Sequence, residues 1–350
     1  MKLLLISVRS EQVRGGIATW TAHFLESCEN EGISCRLVNT DLLGRRALQE
    51  SSRRQPLDEA VRTRRIFRDL RKAFRDEDFD AAHLNTSCGV FGLFRDLLLA
   101  RRIKRRGIRL VTHFHCDIPY WIRNSLSRRA LGRLVALSDV RLVLCESSRR
   151  YLADTFGAEA EKMPNFLDDN LILEGERSIS DTLSTILFVG RVCEEKGARE
   201  LYSLAERLPH LSFRAVGPVN ETMSARQKPD NLTLTGALPL SEVFAEMDGA
   251  DLFLLPSHSE GFSLALTEAM ARGLPSVATD VGANADMLAE GCGLVVPIGD
   301  VDGLIAAVES LADPDARREM SRRAVRKVRE SYTTPIILKR LHACYGKNPQ

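Results

Sequence analysis

The sequence predicts an α/β protein built from two successive domains, each a doubly wound parallel sheet. The chain has 350 residues, which is long for one hydrophobic core and suggests two domains of roughly 150 residues each. Short apolar runs alternate with amphipathic helical patterns through both halves. Such alternation is typical of βαβ units, whose ligands bind at the carboxyl ends of the strands.

In the first half, five short apolar runs predict strands. The first run, within Met1–Val8, is too short to span a membrane and lacks the cleavage site of a signal peptide, so we expect a buried strand in a cytoplasmic protein. The predicted strands of this half are Leu3–Val8, Ser34–Asn39, Ala81–Asn85, Leu110–His115 and Arg141–Glu146.

The second half continues the same alternation after a polar segment. We expect an N-terminal domain over residues 1–165, a linker over 166–182 and a second domain over 183–330. Residues 331–350 are expected to form a helix that packs back on the first domain. The predicted strands of this half are Thr185–Gly190, Ser212–Val216, Leu232–Thr235, Leu252–Pro256, Ser276–Thr279 and Gly293–Val296.

Two carboxylates, Glu260 and Glu268, lie in the segment Ser259–Pro275, where a predicted strand passes through a turn into a helix predicted over Leu264–Ala271. The N–H groups near Ser263 and Leu264 would begin that helix and suit a phosphate. A carboxylate on the helix can accept hydrogen bonds from ribose hydroxyls. The segment therefore indicates a nucleotide-diphosphate pocket, whereas two glutamates at this spacing without the flanking residues would indicate an ordinary solvated helix.

Several segments, in this order along the chain, resemble the retaining glycosyltransferases of family 4. The resembling segments are Arg14–Ala18, Leu110–His115, Met163–Asn165, Ile186–Gly197, Ser259–Pro275 and Val277–Gly282. The resemblance implies the GT-B fold, in which two Rossmann-like domains face each other across a cleft. The sequence departs from the family pattern at Gly282–Asp286 and over residues 45–75, which are poorly matching, so it carries no readable code for the donor sugar or the acceptor.

On the donor side, the resemblance assigns roles to residues of the second domain. Arg191 and Lys196 would bind the diphosphate, since a planar guanidinium and a compact ammonium suit two adjacent phosphates. Glu268 would hold the ribose, and Glu260 would contact the transferred sugar. Main-chain donors at Ser263 and Leu264, and the glycine loop at Gly15 and Gly16, would face the phosphates.

Two histidines end the predicted strand Leu110–His115, and alternation places His113 and His115 on the same face. By resemblance, His115 matches the family histidine beside the anomeric centre, and His113 is the alternative. Asp117 is a candidate for orienting an acceptor hydroxyl, and an ordinary turn-forming aspartate is the competing interpretation.

The resemblance implies transfer of a sugar, with retention, from a UDP- or GDP-sugar to a glycan or lipid-linked acceptor in cell-surface polysaccharide or glycoconjugate synthesis. We expect no obligatory metal or other cofactor, because Asp300 and Asp302 have the spacing of a metal motif but a context that favours a helix cap. Two alternatives stay open: a relative that epimerises or hydrolyses a nucleotide sugar, and a catalytically silent module that binds it at a membrane.

The charge distribution separates the two halves. Residues 1–175 hold 30 Lys and Arg against 23 Asp and Glu, while the remainder holds 19 against 24. Much of the basic excess lies in residues 45–75, 101–106 and 121–133. Such helices can lie on an anionic membrane surface, and a solvated helix face is the competing interpretation. No nucleic-acid motif is present, and eight scattered cysteines without a CxxC pair favour reduced thiols over a metal cage.

Overall fold

The structure, a computed structural model, describes residues 1–10, 16–42 and 56–346, with the side chain of Pro56 outside the description. The chain divides into two compact units. The first unit comprises Met1–Phe166 with Thr334–Gln350, and the second comprises Leu167–Thr333. The last helix therefore belongs to the unit that begins the chain.

The first unit is built on a six-stranded parallel sheet with the order β2-β1-β3-β4-β5-β6. Its strands are β1 (Lys2–Ser7), β2 (Ser34–Asn39), β3 (Ala81–Thr86), β4 (Arg109–Phe114), β5 (Val140–Val143) and β6 (Glu161–Lys162). Burial on both faces explains why β1 is almost continuously apolar. β3 is equally buried but carries the polar residues His83, Asn85 and Thr86.

Helices cover this sheet on both faces. They are α1 (Gly16–Asn30), α2 (Pro56–Asp76), α3 (Val90–Lys104), α4 (Ile118–Trp121), α5 (Ser125–Leu137), α6 (Glu146–Phe156) and α14 (Thr334–Tyr345). Trp20 and Phe24 of α1 share one core cluster with Ile337 and Leu341 of α14 and with Leu3 of β1. The opposite face packs against α2, α3 and α5.

The second unit repeats the architecture with a six-stranded parallel sheet of order β12-β11-β10-β7-β8-β9. Its strands are β7 (Thr185–Val189), β8 (Ser212–Val216), β9 (Leu232–Gly236), β10 (Leu252–Leu255), β11 (Ser276–Thr279) and β12 (Leu294–Val296). Its helices are α7 (Ala198–Arg207), α8 (Glu221–Ser224), α9 (Leu240–Gly249), α10 (Leu264–Ala271), α11 (Asn284–Leu288), α12 (Val301–Ser310) and α13 (Pro314–Ser331).

The predicted fold class of two doubly wound parallel sheets is confirmed, and the differences lie at strand ends. The strand predicted over Arg141–Glu146 ends at Val143, because Cys145 is already the N-cap residue of α6. The two-residue strand β6 is too short to leave a periodic pattern. Within the described residues, no helix is long and apolar enough to cross a bilayer.

Candidate functional site

The sheet order of the second unit brings two loops together at the carboxyl ends of β7 and β10. These strands pair directly, with Leu252 opposite Ile186. Lys196 follows β7, and its Nζ donates to Glu260 Oε1 at 2.8 Å and to the Ser259 carbonyl at 3.3 Å. The structure therefore joins two of the predicted site residues that lie 64 positions apart in sequence.

Close backbone packing holds the Lys196 loop in place. A short 3₁₀ helix, Glu194–Lys196, ends at Gly197, which has a φ of +75°. A Cβ at Gly197 would lie 2.0 Å from the Pro256 carbonyl oxygen at the end of β10. Only glycine fits there, because it tolerates both the left-handed backbone and the close approach.

Two side chains, those of Ser257 and Lys196, hold the Glu260 carboxylate in place. Ser257 Oγ donates to Glu260 Oε1 at 2.8 Å, the same oxygen that accepts from Lys196. The side chains of Lys196 and Glu260 are 22% and 11% exposed, so solvent weakens this ion pair less than a fully exposed one. The Lys196 ammonium carries three N–H groups, and the contacts with Glu260 and Ser259 use two of them.

Arg191 lies apart from this pair. Its side chain is exposed, and one guanidinium nitrogen lies 3.6 Å from Glu195 Oε2. Across the ranges the structure describes, no contact links Arg191 to Lys196 or Glu260. A diphosphate contact from Arg191 would therefore require its flexible side chain to leave Glu195.

Helix α10 has the bounds that the sequence predicts, Leu264–Ala271. Ser263 is its N-cap residue, and its hydroxyl accepts from the Leu266 N–H at 3.2 Å. The first-turn N–H groups of an α-helix have no intrahelical acceptor and suit an anion. Glu268 is half-buried on the second turn.

An acid–imidazole contact that the sequence did not predict lies beside this site. His258 Nε2 lies 2.6 Å from Oε1 of the buried Glu200. The backbone N–H of His258 donates to the Glu195 carbonyl. This contact ties the loop that carries Glu260 to α7, which follows Lys196. No local signal marks it, since Glu200 and His258 lie 58 residues apart.

In the first unit, β4 brings both predicted histidines to one place. The ring centroids of His113 and His115 are 4.0 Å apart. His113 Nε2 lies 3.2 Å from the Met163 carbonyl, and His115 Nε2 lies 3.0 Å from Asn85 Oδ1. Asn85 is opposite His113 in the β3–β4 register, so a polar residue at the end of the neighbouring predicted strand was a usable signal.

A third histidine, His83, completes a buried cluster around Trp20. The indole centroid lies between 5.1 and 5.7 Å from all three imidazole centroids. His83 Nδ1 hydrogen-bonds the hydroxyl of Tyr345 on α14.

Burial keeps all three imidazoles neutral. It lowers the pKa of His113 to about 3 and the pKa values of His83 and His115 well below the ordinary value.

The remaining candidate residues of the first unit are Gly15, Gly16 and Asp117. Gly15 lies outside the described residues. Gly16 begins α1, and a Cβ added there would meet no atom within 4 Å. Asp117 Oδ1 accepts from Ser147 Oγ at 2.7 Å, and burial raises the pKa of its carboxyl. The carboxylate is thereby engaged within the fold.

The carboxylates with metal-motif spacing have other contacts. Asp300 caps α12 by accepting from the Gly303 N–H at 2.8 Å, and Asp302 pairs with Arg207 at 2.6 Å. Among the residues with described positions, no group of three or more metal-ligating side chains forms a cluster.

Comparisons with known families match both units. The family described as Glycosyltransferase Family 4 matches residues 14–170. The family described as Glycosyl transferases group 1 matches residues 184–313. The second match includes Lys196, Glu260 and Glu268, and the first includes both histidines.

Individual relatives support the same assignment. The 2-deoxystreptamine N-acetyl-D-glucosaminyltransferase of Niallia circulans is 34% identical over 71% of each chain. The phosphatidyl-myo-inositol mannosyltransferase of Mycolicibacterium smegmatis is 31% identical, and the match spans 51% of this chain and about half, 49%, of that relative. Sucrose-phosphate synthase from Thermosynechococcus elongatus shares the fold, with a TM-score of 0.79 over 98% of both chains at 17% identity.

Proposed function

The chain is a glycosyltransferase of family 4 with the GT-B fold, and on this premise we propose that it transfers a hexosyl group from a UDP- or GDP-sugar to a glycan or lipid-linked acceptor. The product would belong to cell-surface polysaccharide or glycoconjugate synthesis. The contact between Lys196 and Glu260 at the strand ends of the second unit carries the proposal. The pair joins a cation to a carboxylate in the loop that precedes α10.

The donor half of the reaction follows from these charges. As the bond between the anomeric carbon and the diphosphate oxygen breaks, negative charge develops on the leaving group. Lys196, Arg191 and the N–H groups at Ser263 and Leu264 stabilise that charge. Glu268 accepts from the ribose hydroxyls, and Glu260 contacts the transferred sugar.

We propose that the sugar is transferred with retention by displacement on one face. The acceptor oxygen bonds to the anomeric carbon, and its proton passes to the departing phosphate oxygen. No side-chain nucleophile is needed in this scheme. His115 then acts as a neutral group beside the reacting carbon, in keeping with the lowering of its pKa by burial.

The names of the two relatives point to different donor sugars. One is named for transfer of mannose and the other for transfer of N-acetylglucosamine. Since both are transferases, the epimerising, hydrolysing and silent alternatives are not favoured.

The first test is a thermal-shift panel of UDP-, GDP-, ADP- and dTDP-sugars. A ligand that binds only the native state raises the melting temperature by mass action. We expect one nucleotide to produce a shift that is lost in a Lys196→Ala, Glu268→Ala double variant. The matched control is Lys104→Ala, because Lys104 pairs with Asp139 at 2.6 Å in the first unit, far along the chain from the donor residues.

Two results would count against the proposal. One is the absence of a shift from any nucleotide sugar, and the other is a shift of equal size in the wild type and the double variant. Once a donor is found, NMR of the product reports whether the anomeric configuration is kept. Turnover should persist in EDTA, and a strict requirement for added magnesium or manganese would contradict the proposal of a metal-independent reaction.

We also propose that the first unit associates peripherally with the inner face of the cell membrane through a basic surface. Two grooves of about 290 and 320 Å³ flank α3. The charged residues lining them are Arg71, Arg101, Arg102, Arg105, Arg106, Arg129 and Arg133.

Apolar side chains accompany these arginines. Leu98 and Leu126, which line the second groove, are 47% and 59% exposed. Arginines attract anionic headgroups, and exposed leucines can enter the boundary between headgroups and acyl chains. The occupant that fits this combination is an anionic bilayer surface.

A further inference from the structure

A chain of side-chain hydrogen bonds runs through the first unit from α1 to His115. His115 Nε2 lies 3.0 Å from Asn85 Oδ1, and Asn85 Nδ2 donates to Ser7 Oγ at 2.8 Å. Ser7 Oγ lies 2.6 Å from Thr21 Oγ1, which donates to the Ile17 carbonyl at 2.7 Å. Ser7 and Thr21 are fully buried, and Asn85 is 6% exposed.

The donor and the acceptor of each of these hydrogen bonds can be assigned by starting from Thr21. The single hydroxyl proton of Thr21 is used on the Ile17 carbonyl, so Ser7 must donate to Thr21. Ser7 has then used its own proton and must accept from Asn85. The amide nitrogen of Asn85 therefore faces Ser7, and its oxygen faces His115. Because that oxygen can only accept, Nε2 of His115 carries a proton.

We infer that Asn85, oriented by Ser7 and Thr21, is a positioning residue that fixes His115 as the neutral tautomer with its proton on Nε2. Its importance for turnover rests on the proposed function, in which His115 lies beside the anomeric carbon. The inference about the tautomer itself does not depend on that function. It concerns only contacts within the first unit.

The surroundings of His115 select against the other states of the ring. With the proton on Nδ1 instead, the bare Nε2 would lie 3.0 Å from another acceptor, Asn85 Oδ1. In the doubly protonated ring, the Nδ1 proton would be buried without an acceptor among the described residues. The titratable groups that face His115 are His113 and His83, and both would repel an imidazolium when charged.

The same hydrogen bonds also reach the start of helix α1. Ile17 directly follows Gly16, the described residue of the glycine loop assigned to the donor phosphate. The hydrogen bonds thus connect the first turn of α1 to the histidine. A change at Ser7 would release the amide of Asn85 without touching His115.

The direct test is nitrogen NMR of histidine in the full-length protein labelled with ¹⁵N-histidine, with His115 assigned by its loss in His115→Gln. We expect a protonated Nε2 and an unprotonated Nδ1 in the wild type. Ser7→Ala and Asn85→Leu should give a mixture of tautomers. Asn85→Asp should give an imidazolium at higher pH, because a carboxylate would then face the ring.

Kinetics then separate positioning from a purely structural role. We expect kcat in Asn85→Leu to fall by about tenfold or more, as when an active-site imidazole is left in the wrong tautomer, while the donor-induced thermal shift is kept. The acidic limb of the kcat profile should move to higher pH in Asn85→Asp. The matched control is Thr112→Val, which removes a buried hydroxyl pair with Ser138 from the same strand but on the opposite face.

Two results would overturn the inference. One is a wild-type His115 with its proton on Nδ1, and the other is an unchanged tautomer and unchanged kcat in Asn85→Leu. If the tautomer responds as expected but no donor sugar is transferred, the proposed function fails and the positioning role of Asn85 stands. Thr112→Val should leave the tautomer and kcat as they are in the wild type.

Discussion

Two sets of arginines, one in each unit of the molecule, differ in whether a carboxylate pairs with them. In the second unit, helix α13 carries Arg318, Arg322 and Arg323, and each is ion-paired with a carboxylate. In the first unit, the arginines that line the two grooves flanking α3 have no carboxylate partner among the residues the structure describes. The two basic regions thus differ in how many of these arginines are ion-paired.

The difference teaches that a count of arginines does not identify a binding surface. On α13, acids three and four residues away neutralise the arginines locally. In the grooves flanking α3, no carboxylate among the described residues pairs with the arginines. The interiors differ as well, because the first unit buries three neutral imidazoles while the second unit places an ion pair at its strand ends.

The largest expected effect comes from breaking that ion pair. Lys196→Met should lower kcat by about 10²- to 10³-fold, the size found when one stabilising donor is lost. Steady-state turnover with the donor identified by thermal shift measures it. Lys104→Met removes a lysine from an ion pair with Asp139 in the first unit and should leave kcat near the wild-type value, because Lys104 is not a candidate site residue. Equal losses in both variants would show that Lys196 has only a structural role.

Removing three positive charges from one basic region or from the other tests the membrane proposal. Replacing Arg101, Arg105 and Arg129 by Gln should weaken binding to phosphatidylglycerol vesicles by about 10²-fold, since each cation near the surface contributes about 1 kcal/mol. Vesicle sedimentation at low salt measures the partition.

The control replaces Arg318, Arg322 and Arg323 by Gln, which makes the same change in net charge. Because these arginines are already ion-paired, vesicle binding should stay near the wild-type level. Equal loss in both triple variants would mean that net charge alone drives the association. Retained binding in the first triple variant would remove the grooves as its cause.

Two glycines with matched backbone angles test the packing beneath Lys196. Gly197 and Gly236 have φ values of +75° and +76°, but only at Gly197 would a Cβ meet another atom within 4 Å. Gly236→Ala should cost about 1–2 kcal/mol from the left-handed backbone alone. Gly197→Ala should cost more and abolish the donor-induced thermal shift, as measured by urea unfolding and the nucleotide panel. Equal destabilisation would mean that the two loops can move apart.

The smallest effect concerns the buried imidazoles and pH. The folded-state pKa of His113 is lowered from 6.5 to about 3, so between these pH values the unfolded chain binds more protons. Stability is therefore complete above about pH 6.5 and falls as the pH falls. From about pH 6.5 to about pH 5.5 the loss should be no more than about 1.4 kcal/mol for this histidine.

Tryptophan fluorescence reports this unfolding, since both tryptophans, Trp20 and Trp121, belong to the first unit. His113→Asn should flatten the pH dependence. His210→Asn, at an exposed position of the second unit, should leave it unchanged. An identical slope in wild type and His113→Asn would show that other groups govern acid unfolding.

Much of the fold could be predicted from local patterns. Strands Ser34–Asn39, Ser212–Val216 and Ser276–Thr279 and helix Leu264–Ala271 have the predicted bounds. Each is short and bounded by turn residues or a capping serine, so neighbouring residues suffice to define it.

The candidate site was predictable in part. Lys196 and Glu260 follow two strands in segments with a family resemblance, whereas Asn85, His83 and Glu200 carry no motif. Their partners lie 30, 262 and 58 residues away in sequence. A buried polar residue acquires its role from whichever partner satisfies it, and a single sequence does not name that partner.

By itself, the sequence determined the succession of strands and helices, the two-domain organisation and the chemical groups available at the strand ends. These follow from side-chain periodicity and turn chemistry, which act over a few residues. Which of these groups meet depends on the three-dimensional packing of the chain: Lys196 contacts Glu260, His115 contacts Asn85, and only some arginines find a carboxylate. The physical reason is that sheet order and close backbone packing, as at Gly197, bring distant segments within hydrogen-bonding distance, and burial then sets their protonation.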